Sequence, residues 1–287
     1  MTQVFEPAKP IWCAGCGDFG VQASLQKALS ETGTNLNDVV IVAGIGCSGT
    51  IQNNIPTYGY HSLHGRTLPS AIGVKLANPK LTVIAAGGDG DGYAIGMGHL
   101  IHTFKRNPSI LYIIMNNETY GLTKGQYSPT SNPGFEGNVE NGMDGILVGL
   151  GVPSTTFLAR GFAGAPAQLT RLLTDGLTHV QSGKGFAFVE VLSPCVTYND
   201  TYKLWKNITY DVDSDTDFNP RDKIGSYTTV INKREEGKIP IGLIYSADHP
   251  SLEQVSVDDQ EKGPALQDIS LASNMDRYEA VMKSFLG

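Results

Sequence analysis

Three runs limit what this chain can fold into: Val39 to Ala43, Leu81 to Ala86 and Ile110 to Met115 are apolar at nearly every position. A strand with one wet face alternates polar and apolar residues, whereas a near-continuous apolar run is covered on both faces. Between the second and third runs, Tyr93 to Arg106 places Ile95, Leu100, Ile101 and Phe104 on a helical face, which completes a β-α-β unit. The spacing of Val21, Leu25 and Leu29 predicts a helix over Gly20 to Glu31. Weaker patterns predict a strand over Thr155 to Leu158, a helix over Ala165 to Val180 opening at Pro166, and a strand over Phe186 to Leu192. The expected fold class is α/β, a mostly parallel sheet with helices on both faces.

Two segments depart from that alternation. Ser128 to Gly145 has no apolar period and many turn residues, so it reads as a long loop of the kind that serves as a lid or binding loop. From Val196 onward the chain is polar and irregular, with an acidic run at Asp211 to Asp217 and a final helix over Leu271 to Leu286. Residues 1–195 are expected to form one α/β domain. Residues 196–287 are expected to be an irregular C-terminal extension packed on that domain or on a neighbour.

A net charge of -7 gives no basic excess for a phosphate backbone, so nucleic acid is excluded. No stretch reaches the roughly 18 consecutive apolar residues of a membrane span. Met1 to Pro10 lacks the basic start and apolar run of a signal peptide, so a cytoplasmic location is expected.

In open parallel sheets ligands collect beyond the carboxyl ends of the strands. Four suspicious loops occupy that position: Cys47 follows the first run, Asp89 the second, Asn117 the third, and Cys195 follows Phe186 to Leu192. Gly88-Asp89-Gly90-Asp91-Gly92 lets the backbone approach a phosphate closely. Asp89 would repel a diphosphate unless a divalent cation stood between them, which points to Mg²⁺ with Asn117 as a neutral oxygen ligand. This Gly-Asp-Gly and distant Asn, each at a strand end, resembles the diphosphate-binding motif of thiamine diphosphate enzymes. Gly44, Gly46 and Gly49 also satisfy the spacing of a dinucleotide fingerprint. Against that reading, a cysteine sits inside the turn, Pro56 interrupts the segment after it, and no strand presenting a ribose carboxylate comes close behind.

Stable disulfides are not expected in the cytoplasm, so Cys13, Cys16, Cys47 and Cys195 need another role. The two-residue step from Cys13 to Cys16 lets both thiolates face one metal centre. Cys47 and Cys195 complete four ligands of a [4Fe–4S] cluster if the N-terminal segment lies over the strand ends. A zinc half-site or redox pair competes for Cys13 and Cys16, and a buried free thiol for Cys47 and Cys195. His64-Gly65-Arg66 and the run Tyr120 to Gln126 are further polar loop candidates.

Taken together, WCAGCGDFG, GIGCSG, HSLHGR, GGDGDGYAIG, NNETYGLTKGQYSPTS and Pro194-Cys195 resemble the β subunit of 2-oxoacid:ferredoxin oxidoreductases, over about Trp12 to Val196. The resemblance implies a thiamine diphosphate-binding fold. Cys13, Cys16, Cys47 and Cys195 would ligate the cluster, and Asp89, Asn117 and the backbone oxygen of Thr119 would hold Mg²⁺. Ile45, Gly46, Cys47 and Ser48 would line the cofactor, with His64, Gly88, Gly90, Asp91, Gly121, Leu122 and Thr123 completing its site. His64 is the candidate catalytic side chain.

No acidic residue in these motifs suits activation of the aminopyrimidine, so a larger α subunit is expected to supply a glutamate, in an αβ or (αβ)2 enzyme. The implied reaction is oxidative decarboxylation of a 2-oxoacid to an acyl-CoA and CO2, with electrons passing through the cluster to ferredoxin. GLTKGQYSPTS looks most like 2-oxoglutarate members; Thr50 stands where some relatives with other preferences carry lysine. A pyruvate or broad-range enzyme is the alternative within the family. Outside it stand a non-oxidative thiamine decarboxylase or ligase and a non-catalytic, zinc-stabilised binding subunit.

Overall fold

The computed structural model describes residues 6–256, 263–267 and 270–286. In chain order the elements are α1 (Asp18–Glu31), β1 (Val39–Ala43), β2 (Tyr58–His61), α2 (Thr67–Ala77), β3 (Thr82–Gly88), α3 (Met97–Arg106), β4 (Ile110–Asn116), α4 (Gly145–Leu150), β5 (Phe157–Phe162), α5 (Pro166–Gln181), β6 (Ala187–Leu192), α6 (Tyr202–Ile208), β7 (Thr209–Asp211), α7 (Lys223–Glu235), β8 (Ile239–Ser246), α8 (Leu252–Ser256) and α9 (Leu271–Leu286). The strands form one sheet in the order β2-β1-β3-β4-β6-β5-β8-β7. Every pairing is parallel except that of β5 with β8.

Both faces are covered, as the apolar runs require. In β4 alternate side chains divide between two cores: Leu111, Ile113 and Met115 join the α1 and α5 side, with Leu25, Leu29, Leu172 and Leu177. Ile110, Tyr112 and Ile114 join the opposite core, with Leu68, Leu100, Phe104 and Ile146 from α2, α3 and α4. The register aligns Ala43 with Ala86, Gly88 with Met115 and Asn116 with Leu192. The loops after β1, β3, β4 and β6 therefore leave from one edge. No helix among the described residues is long and apolar enough to cross a membrane.

Several elements differ from the sequence-based expectation. The segment Tyr93 to Arg106 is not one helix: a π turn over Gly90–Ile95 precedes α3. The wider turn rotates the helix behind it, so Leu100, Thr103 and Phe104 are buried while Ile95 and Ile101 stay exposed. Strand β5 runs on past Leu158 to Phe162, through a buried Arg160 whose charge masked the strand pattern. Beyond residue 195 the chain is more regular than its composition suggests, because β7 and β8 extend the sheet and α7 packs on β8. Pro240 and a left-handed Gly242, with a register shift opposite Leu158 and Ala159, hid β8 from pattern reading.

Beside Arg160 lies a buried ionic network. Its Nε meets Glu190 Oε1 at 2.6 Å and its Nη2 meets Asp144 Oδ1 at 2.7 Å. Arg234 Nη1 takes the other Asp144 oxygen at 2.5 Å, and the Tyr93 hydroxyl donates to Glu190.

On α5, His179 is buried and its Nε2 has no hydrogen-bond partner among the described residues. Burial, then the charge of Lys184, push its pKa down to about 4 from an ordinary 6.5. A base with a depressed folded pKa contributes stability that is intact above 6.5 and lost as pH falls through about 4. The full loss is about 3 kcal/mol. His179→Gln should flatten the denaturant midpoint against pH across that window; an unchanged slope would show that the ring titrates normally.

Candidate active site

The loops at the carboxyl edge enclose a cavity of about 90 Å³. The loop after β1 gives it Ile45, Gly46, Cys47 and Ser48, and the loop after β3 gives Gly88, Asp89, Gly90 and Asp91. From β4 and its following turn come Met115, Asn117, Thr119, Tyr120, Gly121, Leu122 and Thr123, while His64 reaches in from the β2–α2 loop. All the residues named from sequence as cofactor-binding thus line one cavity. Met115 was missed because a buried strand residue reads as core.

Backbone chemistry explains the shape. A Cβ on Gly90 would lie 2.1 Å from the ring of Tyr120, so only glycine lets that ring close over the turn. The Tyr120 hydroxyl donates to Gly90 O at 3.3 Å. Asp91 lines the cavity, and its carboxylate is taken up by the protein: it accepts from Ile45 N–H at 3.0 Å, Gly65 N–H at 2.8 Å and Thr67 Oγ1 at 3.2 Å. Asp91 is a buckle that ties the loops after β1 and β2 to the turn after β3.

Asp89 is 1% exposed. Burial pushes its pKa up, against hydrogen bonds from Ser128, Thr130 and the backbone of Asn117 and Gly90. A buried carboxylate in that condition suits a cation, which would supply the missing opposite charge. Asn117 Oδ1 accepts from Thr119 N–H at 3.0 Å, which fixes the turn and leaves a second lone pair for a metal. Glu118, whose φ of 55° is left-handed, points to a second cavity with Arg160 and Glu190. Burial, then Asp89 and Glu190, raise its pKa to about 7. No sequence signal marked it.

The cysteines gather beside the same edge. Trp12 Nε1 donates to Cys47 O at 2.7 Å, Gly17 N–H to Pro194 O at 3.0 Å, and Ser193 Oγ to Asp18 Oδ1 at 2.6 Å. These bonds lay the N-terminal segment across the ends of β1 and β6. A methyl carbon on Gly121 would lie 3.4 Å from Cys195 Sγ and 4.0 Å from Cys47 Sγ, so the two sulfurs flank one point of the cavity wall. Cys13 is exposed, Cys16 and Cys47 half-buried and Cys195 buried.

Burial, then the charges of Asp18, Cys195 and Cys13, push the Cys47 thiol up to about 11. Burial and Asp18 push Cys16 up as well. Such thiols give up their protons to a cationic metal centre and not to water. Among the described residues no three His, Cys, Asp or Glu side chains converge closely enough for a single ion. The thiols are still close enough to act on one another, since Cys47 feels the charges of both Cys195 and Cys13 and Cys16 those of Cys195 and Cys47; a cubane, which binds each sulfur at a separate iron, would need them near but not converging on one point.

Comparison with known proteins places this geometry. Residues 44–191 match the family model of the thiamine pyrophosphate enzyme C-terminal TPP binding domain, and residues 195–257 match that of the C-terminal part of the pyruvate ferredoxin oxidoreductase β subunit. The chain is 37% identical over 287 residues to the 2-oxoacid:ferredoxin oxidoreductase subunit beta of Saccharolobus solfataricus, covering 93% of this chain and 91% of that one. It is 37% identical over 200 residues to the 2-oxoglutarate synthase subunit KorB of Methanocaldococcus jannaschii, covering 68% and 72%. Among solved structures it matches a 2-oxoglutarate:ferredoxin oxidoreductase from Magnetococcus marinus, with 2-oxoglutarate, coenzyme A and succinyl-CoA bound. That match has a TM-score of 0.82 and 32% identity, covering 96% of this chain and 94% of that one. A thiamine diphosphate-binding sheet edge, the cysteines beside it and relatives aligned over nearly the whole chain agree: the protein belongs to the 2-oxoacid:ferredoxin oxidoreductases, as a β subunit.

Proposed function

We propose that this β subunit binds thiamine diphosphate, Mg²⁺ and one [4Fe–4S] cluster, and acts with a larger α subunit in the oxidative decarboxylation of 2-oxoglutarate. Coenzyme A would take the succinyl group as a thioester with loss of the thiol proton, CO2 would leave, and the two electrons would pass one at a time through the cluster to ferredoxin. One observation carries the reading: Cys47 belongs both to the cavity lining and to the pair of sulfurs flanking Gly121. A cofactor that is oxidised one electron at a time needs an acceptor at short range, and this residue supplies the adjacency.

The protein's own groups have distinct tasks. Asp89, Asn117 and the Thr119 carbonyl would hold Mg²⁺ against the diphosphate; the Gly88–Gly90 backbone lets it approach. Thiamine diphosphate, when bound, would supply the carbanion chemistry for decarboxylation. His64, at the cavity wall, is the side chain we assign to proton transfer at the substrate. Cys13, Cys16, Cys47 and Cys195 would ligate the cluster. No carboxylate of this chain is assigned to the aminopyrimidine, so the α subunit supplies that glutamate at the open side of the cavity, giving an αβ or (αβ)2 enzyme in the cytoplasm.

Preference for 2-oxoglutarate draws support from the Methanocaldococcus and Magnetococcus names; the Saccharolobus name favours a broader 2-oxoacid range. A panel of pyruvate, 2-oxoglutarate and branched oxoacids with the assembled enzyme separates the two. Anaerobic purification should yield about four irons and four sulfides per chain. Zinc in their place would establish a scaffold role instead. The chain alone should bind thiamine diphosphate poorly and release no CO2; full activity without the partner would overturn the shared active site.

A further inference from the structure

The long segment between β4 and α4 is tied down at both ends. At its start Ser128 Oγ and Thr130 Oγ1 converge on one oxygen of Asp89, Oδ2, at 2.5 and 2.6 Å. Ser131 Oγ closes the turn, accepting from Ser128 N–H at 2.8 Å and donating to Glu118 O at 2.6 Å. Asn138 Nδ2 donates to Ser131 O at 2.8 Å and Glu140 O at 2.9 Å, and Met143 N–H reaches Pro129 O at 2.8 Å. At the far end Asp144 caps α4 and holds both Arg160 and Arg234. Ser128, Thr130, Ser131, Asn138 and Asp144 are all buried.

We propose that this segment is a strap that positions the cation carboxylate: Ser128 and Thr130 fix the rotation of Asp89 and thereby set the affinity for Mg²⁺ and the diphosphate it bridges. The inference rests on the assignment of Asp89 as a Mg²⁺ ligand. The torsion that turns a carboxylate has no sharp staggered well, so an unrestrained Asp89 would sample many settings. Beside the backbone N–H groups of Asn117 and Gly90, which also bond this carboxylate, the two hydroxyls on Oδ2 supply the side-chain part of the restraint before a cation arrives. Mg²⁺ demands near-ideal octahedral geometry, whereas Ca²⁺ accepts a wider range, so a loosened carboxylate penalises Mg²⁺ most. Neither hydroxyl lines the first cavity, and both act through Asp89 as positioning residues. Partners that orient a metal ligand are worth about 10–100-fold in affinity.

The test uses the assembled enzyme, stripped with a chelator and titrated with Mg²⁺ or Ca²⁺ at saturating thiamine diphosphate, with retained cofactor as the readout. Ser128→Ala and Thr130→Val should raise half-saturation by Mg²⁺ about 10–100-fold and narrow the preference for Mg²⁺ over Ca²⁺. Thr130→Ser keeps the hydroxyl and should stay within about twofold of wild type. Iron content and thermal midpoint, unchanged, show that the fold is retained. Asp89→Asn is the reference. If it loses Mg²⁺ dependence while Ser128→Ala and Thr130→Val titrate like wild type, the strap has no positioning role and the assignment of Asp89 stands. If Asp89→Asn also titrates like wild type, both fall.

Discussion

Cys47→Ala is expected to lose most of its iron and, in the same protein, to bind thiamine diphosphate about tenfold more weakly. The two losses have one origin. The Cys47 carbonyl holds the N-terminal segment through Trp12 Nε1 and accepts from Thr50 Oγ1 at 2.9 Å, so its peptide sets the loop after β1. Its side chain sits beside Cys195 at the Gly121 wall. On the proposed assignment, taking away the sulfur removes a cluster ligand and with it the tie between the cluster and the loop that faces the cofactor, while the bonds to the Cys47 carbonyl remain. Cys13→Ala is the control, because Cys13 is exposed and does not line the cavity: it should lose iron and keep the cofactor near wild-type affinity. Iron and thiamine analysis of the two variants, purified anaerobically, checks the pair. Wild-type content of both in Cys47→Ala would dissolve the shared site, and loss of iron alone would separate the cluster from the cofactor.

Arg160→Met is expected to be the most destabilising single change away from the cavity. Arg160 is 3% exposed, and its removal would strand Glu190 and Asp144, both buried, without their main counter-charge. Breaking one side of such a network costs about 3–5 kcal/mol. For a chain of this size that corresponds to a fall of about 5–8 °C in thermal midpoint. Arg160→Lys should recover little, since an ammonium cannot span two carboxylates with a rigid fork.

The pH dependence follows from Asp144, whose carboxyl Arg160 and Arg234 hold below the usual range in spite of burial. A depressed carboxylate contributes stability present above its unfolded pKa of 3.8 and lost as pH falls through the lower folded value. The variant lacks much of that contribution, so the gap between the two proteins should close toward acid pH. The gap should hold steady down to about pH 4; a gap that also stays unchanged well below pH 3.8 would show that the network is not ionised in the fold.

Much of this architecture was legible in the residues. Apolar runs covered on both faces need only local composition to be recognised, and the turns that end them are marked by Gly, Asp, Asn and Cys, which declare themselves one by one. That is why β1, β3, β4 and β6, and with them the loops carrying Cys47, Asp89, Asn117 and Cys195, could be placed along one edge. What stayed hidden depends on partners far away in the chain. Arg160 reads as a strand breaker until Glu190 and Asp144 are seen around it. Asp91 reads as one more residue of the cofactor site, and only the fold shows its carboxylate bonded to the Ile45 and Gly65 N–H groups.

Ser128 and Thr130 read as loop residues, yet they bond Asp89 across 39 and 41 positions of sequence. The sequence by itself determined β1, β3, β4 and β6 and which chemistry stands at their ends, because period and turn propensity are local. Only the tertiary structure decided where each polar side chain spends its hydrogen bonds, because that direction is set by neighbours which long-range packing brings into reach.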